Sequence, residues 1–178
     1  MSAARLFGRL LKPAPSAAYT ALQITLHWFV AALVLIQYGT SGAIVRTHAM
    51  HMLGQRQNPN DLLLHSLHTK LGLALIALMV GRIGLRLWVG APEPAANGGS
   101  WNGRLARFVH AAFYGVLIAE GVTGAIASYF WWPISIVHVI LFKLLLGLIS
   151  IHVAAALWHA LFLKDATLRR MIPMRFLS

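Results

Sequence analysis

Residues 134–163 read ISIVHVILFKLLLGLISIHVAAALWHALFL, an apolar run followed by the basic tail KDATLRRMIP. Three histidines, His138, His152 and His159, lie on one stripe of this run. From His138 to His152 is fourteen residues, so on a helix both rings leave the same face about 21 Å apart along the axis. His159 follows seven residues later on that face. An imidazole inside an apolar membrane helix is costly unless it is hydrogen-bonded or ligated. Two such rings at two depths have the pattern of axial ligands for two stacked haems, which leaves the rest of the chain to supply two partners.

Composition sets the solvent. Of 178 residues, 58% are hydrophobic and only four are acidic, a balance that belongs to an integral membrane domain. The net charge of +11 could suggest a nucleic-acid ligand, but its distribution points to topology. Arg5, Arg9, Lys12, Arg82, Arg86, Arg104, Arg107, Lys164, Arg169, Arg170 and Arg175 fall in segments on one side, and only Arg46 and Arg56 on the other. Lys70 and Lys143 lie inside apolar spans. The positive-inside rule then puts both termini in the cytoplasm. No cysteine is present, which excludes disulfides, iron–sulfur clusters and covalent c-type haem.

In chain order, residues 1–20 form a basic cytoplasmic segment. The first apolar run is long enough to span and carries no persuasive cleavage site, so it is expected to be retained. Spans are expected at about 21–42, 62–88, 105–130 and 134–163, with a basic cytoplasmic tail over 164–178. Residues 43–62, which include RTHAMHM, are expected as an external loop, solvated or able to capture a soft metal ion. The proline- and glycine-rich VGAPEPAANGGSWNG is an internal loop. Tyr129, Phe130, Trp131, Trp132 and Pro133 form a short external turn, with the proline starting the last helix. The expected fold is an all-α, up-down-up-down bundle of four transmembrane helices, N-in and C-in.

Depth pairs the histidines. His68 begins an inward-running span and His138 begins another, so both lie toward the outside. His27 begins an outward-running span and His152 lies in the inner half of span four, so both lie toward the inside. The expected pairs are His68 with His138 and His27 with His152. His27 could instead be an interfacial residue beside Trp28. On span two, His68 is preferred to His65 because Gly72 follows it by one turn and leaves room for a flat macrocycle. Gly115, Gly121 and Gly124 of span three also suit close packing. His110 and His159 remain at the inner boundary, where either could displace an inner ligand, hydrogen-bond a quinone or haem propionate, or be a plain interfacial residue. A haem iron with two axial histidines has no open position and passes single electrons through its edge.

The motifs LQITLHW at His27, HTKLG at His68, ARFVHAAFYGVLIAEGVTG at His110 and HVAAALWHALFLKDATLRRM at His152 resemble the bacterial cytochrome b561 family over about residues 19–174. The resemblance implies a four-helix membrane cytochrome of the bacterial inner membrane, with two haems b held by His27, His68, His138 and His152. It also implies oxidation of superoxide at the periplasmic face, with electrons passed to ubiquinone. Lys70 is a candidate for drawing in the anion. Many members have a longer external segment between spans three and four, which here is only a few aromatic residues. The competing reading is a conduit, the cytochrome b subunit of a separate dehydrogenase or of a periplasmic redox partner. A weaker third reading is a haem or metal carrier built on the RTHAMHM segment. Finally, Glu120 and Lys143 come out at similar depth on adjacent antiparallel spans and are expected to form a buried ion pair.

Overall fold

The computed structural model describes residues 19–90, 101–164 and 168–171. Regular structure among them is entirely helical. The four main helices are α1 (Ala21–Met52), α2 (Pro59–Val89), α3 (Trp101–Tyr129) and α4 (Ser135–Trp158). A 3-10 turn at Trp132–Ile134 leads into α4, with Pro133 in its first turn. A π-helical turn, His159–Leu163, continues α4, and a last 3-10 turn covers Arg169–Met171. Four helical stretches are long and apolar enough to cross a membrane, with mean hydropathies from 1.4 to 2.4. The all-α, four-span expectation therefore holds. Most of the N-terminal segment, residues 91–100 of the expected internal loop and most of the basic tail lie outside the described residues.

The expected loop over 43–62 is corrected. Helix α1 runs ten residues past the expected end, so RTHAMHM is helical and the connection to α2 shrinks to residues 53–58. Thirty-two residues make about 48 Å of helix, more than the roughly 30 Å of a hydrocarbon core. The polar end therefore extends beyond the apolar span without ceasing to be helix. What stops it is Gly54, at φ 63°, a left-handed position that costs glycine nothing. Its N–H donates to the His51 carbonyl and the N–H of Gln55 to that of Met50, the two bonds of a Schellman cap. The other ends follow similar chemistry. Thr20 and Gln23 cap α1 reciprocally, each side chain accepting from the other's backbone N–H at 3.2 and 3.0 Å. Asn58 accepts from the N–H of Asn60 at 2.9 Å, and Pro59 opens α2. Gly90 ends α2 at φ 83°, and its carbonyl accepts from the Gln23 amide at 2.9 Å.

Each of the four main helices is divided between two compact units. A central unit comprises His27–Met79 and Gly115–Leu145; a terminal unit comprises the chain up to Leu26, Val80–Tyr114 and the chain from Leu146. Among the described residues, the buried apolar side chains Val30, Leu33, Val34, Ala43, Leu75, Met79, Leu117 and Leu145 all belong to the central unit. The span containing α4 is only 6% buried against 28% for α1, and α4 is apolar all round, as suits a helix with most of its surface open to a membrane. Two glycines of α3 let neighbours approach. A Cβ on Gly121 would collide with the Ile76 side chain, and one on Gly124 would lie 2.9 Å from Cε1 of His138. Gly115, expected to serve the same purpose, has open space at its Cβ position.

This contact gives a test of the central packing. Gly121→Ala should cost about 1–3 kcal/mol through overpacking. Adding Ile76→Ala should recover part of that loss, giving a non-additive cycle in detergent unfolding. Additive losses would show that Gly121 and Ile76 do not meet.

Candidate functional site

Within the central unit, α2 and α4 bring His68 and His138 together, with ring centres 6.5 Å apart and planes at 81°. With metal–nitrogen bonds of about 2 Å, two imidazoles on opposite sides of one metal have ring centres roughly 6 Å apart. The pair therefore has the spacing of a shared metal.

Hydrogen bonding decides which nitrogen is offered. Nδ1 of His138 lies 2.9 Å from the Glu120 carbonyl oxygen, which can only accept, so Nδ1 carries the proton and Nε2 keeps its lone pair. Thr40 does the same for His68 by a different route. Its hydroxyl donates to the Ile36 carbonyl at 2.9 Å, leaving its oxygen to accept from Nδ1 of His68 at 3.0 Å. Both rings are thus fixed from behind in the tautomer that ligates through Nε2, the arrangement usual for metal-binding histidines. The His138 ring packs directly on Gly124, where a Cβ would lie 2.9 Å from its Cε1.

Three expectations need correcting here. Gly72 is not left open for a macrocycle, because its Cβ position lies 2.9 Å from the Gln37 amide nitrogen, which donates to the His68 carbonyl at 3.0 Å. Glu120 does not meet Lys143 among the described residues. Its carboxyl is buried, with Oε1 3.4 Å from Nδ1 of His138, while Lys143 is exposed. The expectation failed because equal depth says nothing about helix face, and Lys143 faces outward. The third concerns the RTHAMHM segment, whose His48 is no loop residue: it stacks on Trp132 at 3.9 Å and lies 5.4 Å from His65. His65 has its own threonine, with Nδ1 2.7 Å from the Thr47 hydroxyl.

In the terminal unit, His110 and His152 have ring centres 5.8 Å apart at 77°, and Phe113 lies edge-on to His152 at 5.3 Å. Nδ1 of His110 donates to the Ala106 carbonyl at 2.7 Å, so this ring too keeps Nε2 as an acceptor. His27 belongs to the central unit, edge-on to Trp28 at 5.4 Å. His159 opens the π-helical turn. Such turns often mark functional positions. Sequence reasoning missed Gln37, Thr40, Thr47 and Thr123. For Gln37, Thr40 and Thr47 the signal was a polar stripe at i, i+3 and i+10 on α1, whereas Thr123 stands on α3.

The prokaryotic cytochrome b561 family profile matches residues 18–174. The chain belongs to that family. It is 33% identical over 160 residues to "Cytochrome b562" of Cereibacter sphaeroides, covering 88% of this chain and 96% of that protein. It is 25% identical over 179 residues to "Probable superoxide oxidase CybB" of Yersinia pestis, covering 88% and 97%. This is therefore a bacterial membrane electron-transfer protein that carries haem b. The His68–His138 pair fits that group in spacing and in tautomer.

The threonine behind His68 should matter in proportion. Thr40→Val keeps the shape and removes the acceptor, and should weaken haem retention about 10–100-fold. Haem-to-protein ratio after purification measures it, with Thr40→Ser as the rescue; full retention in the valine variant would show that the hydroxyl does not orient the ring.

Proposed function

We propose that the protein is a two-haem cytochrome b of the bacterial inner membrane that takes electrons from superoxide at the periplasmic face and delivers them to ubiquinone. The observation that carries most weight is the His68–His138 pair, held at axial spacing with both Nδ1 atoms hydrogen-bonded from behind. These two residues would hold the outer haem, and His27 with His152 the inner one. Haem b held by two histidines supplies reversible one-electron transfer with no open coordination site.

The chain's own residues do the rest. Thr40 and the Glu120 carbonyl keep both outer rings in the ligating tautomer, so electron transfer requires no rearrangement of the first shell. Apolar burial around Leu33, Leu75 and Leu145 keeps water from the central unit. Lys70 is exposed, free to bring positive charge to an approaching anion. Oxidation of superoxide to dioxygen releases one electron and no proton, so the outer face needs no acid or base. Reduction of ubiquinone takes two electrons and two protons, and His110 and His159 are the proposed residues for holding its carbonyls. The name of the Yersinia relative supports the superoxide reading. A conduit serving a separate dehydrogenase or periplasmic redox protein is the second reading, favoured by the short α3–α4 connection, which leaves room for a protein donor.

Haem counting tests the ligands. By pyridine haemochrome, His68→Ala or His138→Ala should each reduce two haems per chain to one, with the spectrum of the other intact. His27→Ala and His152→Ala should remove the complementary haem. His110 is the discriminating control because it lies beside His152: loss of a haem in His110→Ala with retention in His27→Ala would replace His27 as the inner ligand.

Rapid kinetics separates the two readings. A superoxide pulse should reduce the purified protein at near-diffusion rates and pass electrons to added quinone, and His159→Ala should slow only the second step. Slow reduction by superoxide would favour the conduit.

A further inference from the structure

Arg82 and Arg86 sit four residues apart on α2, hence on one face, in the terminal unit. Both are half-buried and line one pocket with Tyr19, Gln23, Tyr114 and Met171, all of the same unit. Arg82 spends one donor on the Leu26 carbonyl at 3.3 Å. The Arg86 guanidinium lies 5.9 Å from the Tyr114 ring centre. Neither arginine forms an ion pair with a carboxylate among the described residues. Of the four acidic residues in the chain, Asp61 and Glu120 belong to the central unit, Asp61 engaged with Arg46 and Glu120 against His138, while Glu93 and Asp165 lie outside the described residues.

Two half-buried guanidiniums in a membrane protein are expensive without a counter-charge. A guanidinium fork matches the planar oxygens of a carboxylate or phosphate, and a basic recess at a membrane boundary is suited to an anionic headgroup. The lining also includes two tyrosines and the apolar Leu26, Leu85 and Met171. We propose that this pocket is an oxyanion site that takes either the phosphate of an anionic phospholipid or a propionate carboxylate of the inner haem. The haem source rests on the two-haem reading above; the phospholipid source does not.

The test uses the full chain in phosphatidylcholine nanodiscs doped with phosphatidylglycerol, comparing wild type with R82Q/R86Q. Native mass spectrometry reads retained phosphatidylglycerol, and a redox titration reads the midpoint of each haem. If the phosphate is the ligand, retention in the variant falls by about tenfold or more, the loss expected from removing charge-assisted bonds, with both midpoints unchanged. If a propionate is the ligand, lipid retention is unchanged and only the inner midpoint falls, because the oxidised centre loses neighbouring positive charge. Unchanged lipid retention together with unchanged midpoints overturns the proposal. Wild type provides an arm that needs no variant. It should retain phosphatidylglycerol in preference to phosphatidylcholine, or show a shifted carboxylate band in a redox-difference infrared spectrum with propionate-labelled haem; neither result would also overturn it. Wild type that carries one haem, or none, would count against the two-haem reading while leaving the lipid arm standing.

Discussion

The Nδ1 proton of His138, donated to the Glu120 carbonyl, is the bond on which the central unit turns. A main-chain carbonyl has no proton to give, so this contact admits one tautomer and fixes which nitrogen can meet a metal. It also requires α4 to approach α3 closely enough for an imidazole to reach a helix backbone. Gly124, one turn beyond Glu120, supplies that approach, since any Cβ there would press on the ring. Gly121 does the same for α2 by admitting Ile76. The geometry of the histidine pair is thus set by two positions without side chains on a helix that contributes neither ring.

The membrane explains why the supporting groups are threonines and carbonyls. In hydrocarbon every polar atom must be satisfied from within. A threonine on a helix donates to the carbonyl three or four residues back and still has an oxygen lone pair to offer. Thr40, Thr47 and Thr123 all make that back-bond, and each presents its oxygen to a histidine: His68, His65 and, at a longer 3.5 Å, His138. Full charges are confined differently. Arg46 and Asp61 form a bidentate pair, closest at 2.7 Å, between the extended end of α1 and the first turn of α2. That pair is exposed, so it contributes register between the two helix ends more than stability.

The four helices were legible because lipid demands about twenty apolar residues and the chain supplies four such runs. The turn before α4 was legible too, since Pro133 can open a helix but not continue one. Helix α1 was misjudged at its far end because apolar content was taken to define helix, whereas Gly54 defines where the backbone stops. Among the site residues, His68 and His138 could be matched by depth, and the structure brings that pair together. Depth alone could not show that Gln37 fills the space beside Gly72 or that Lys143 turns away from Glu120. Those facts depend on rotation about the helix axis. Hydropathy carries little information about rotation when a helix such as α4 is apolar on every side.

Under the two-histidine reading proposed above, both axial positions would be filled, so a donor would be recognised at the edge of the haem or beyond it. The side chains at this end of the central unit therefore bear on which donor can approach. His48 stacks on Trp132, His65 leans on Thr47, and the link from α3 to α4 is reduced to a few residues. His65 stands one helical turn from His68, which ties this end of the central unit directly to the histidine pair. A short aromatic link exposes more of that region than a folded segment would. Under that reading, a small anion and a protein donor would be told apart by charge and shape at that end.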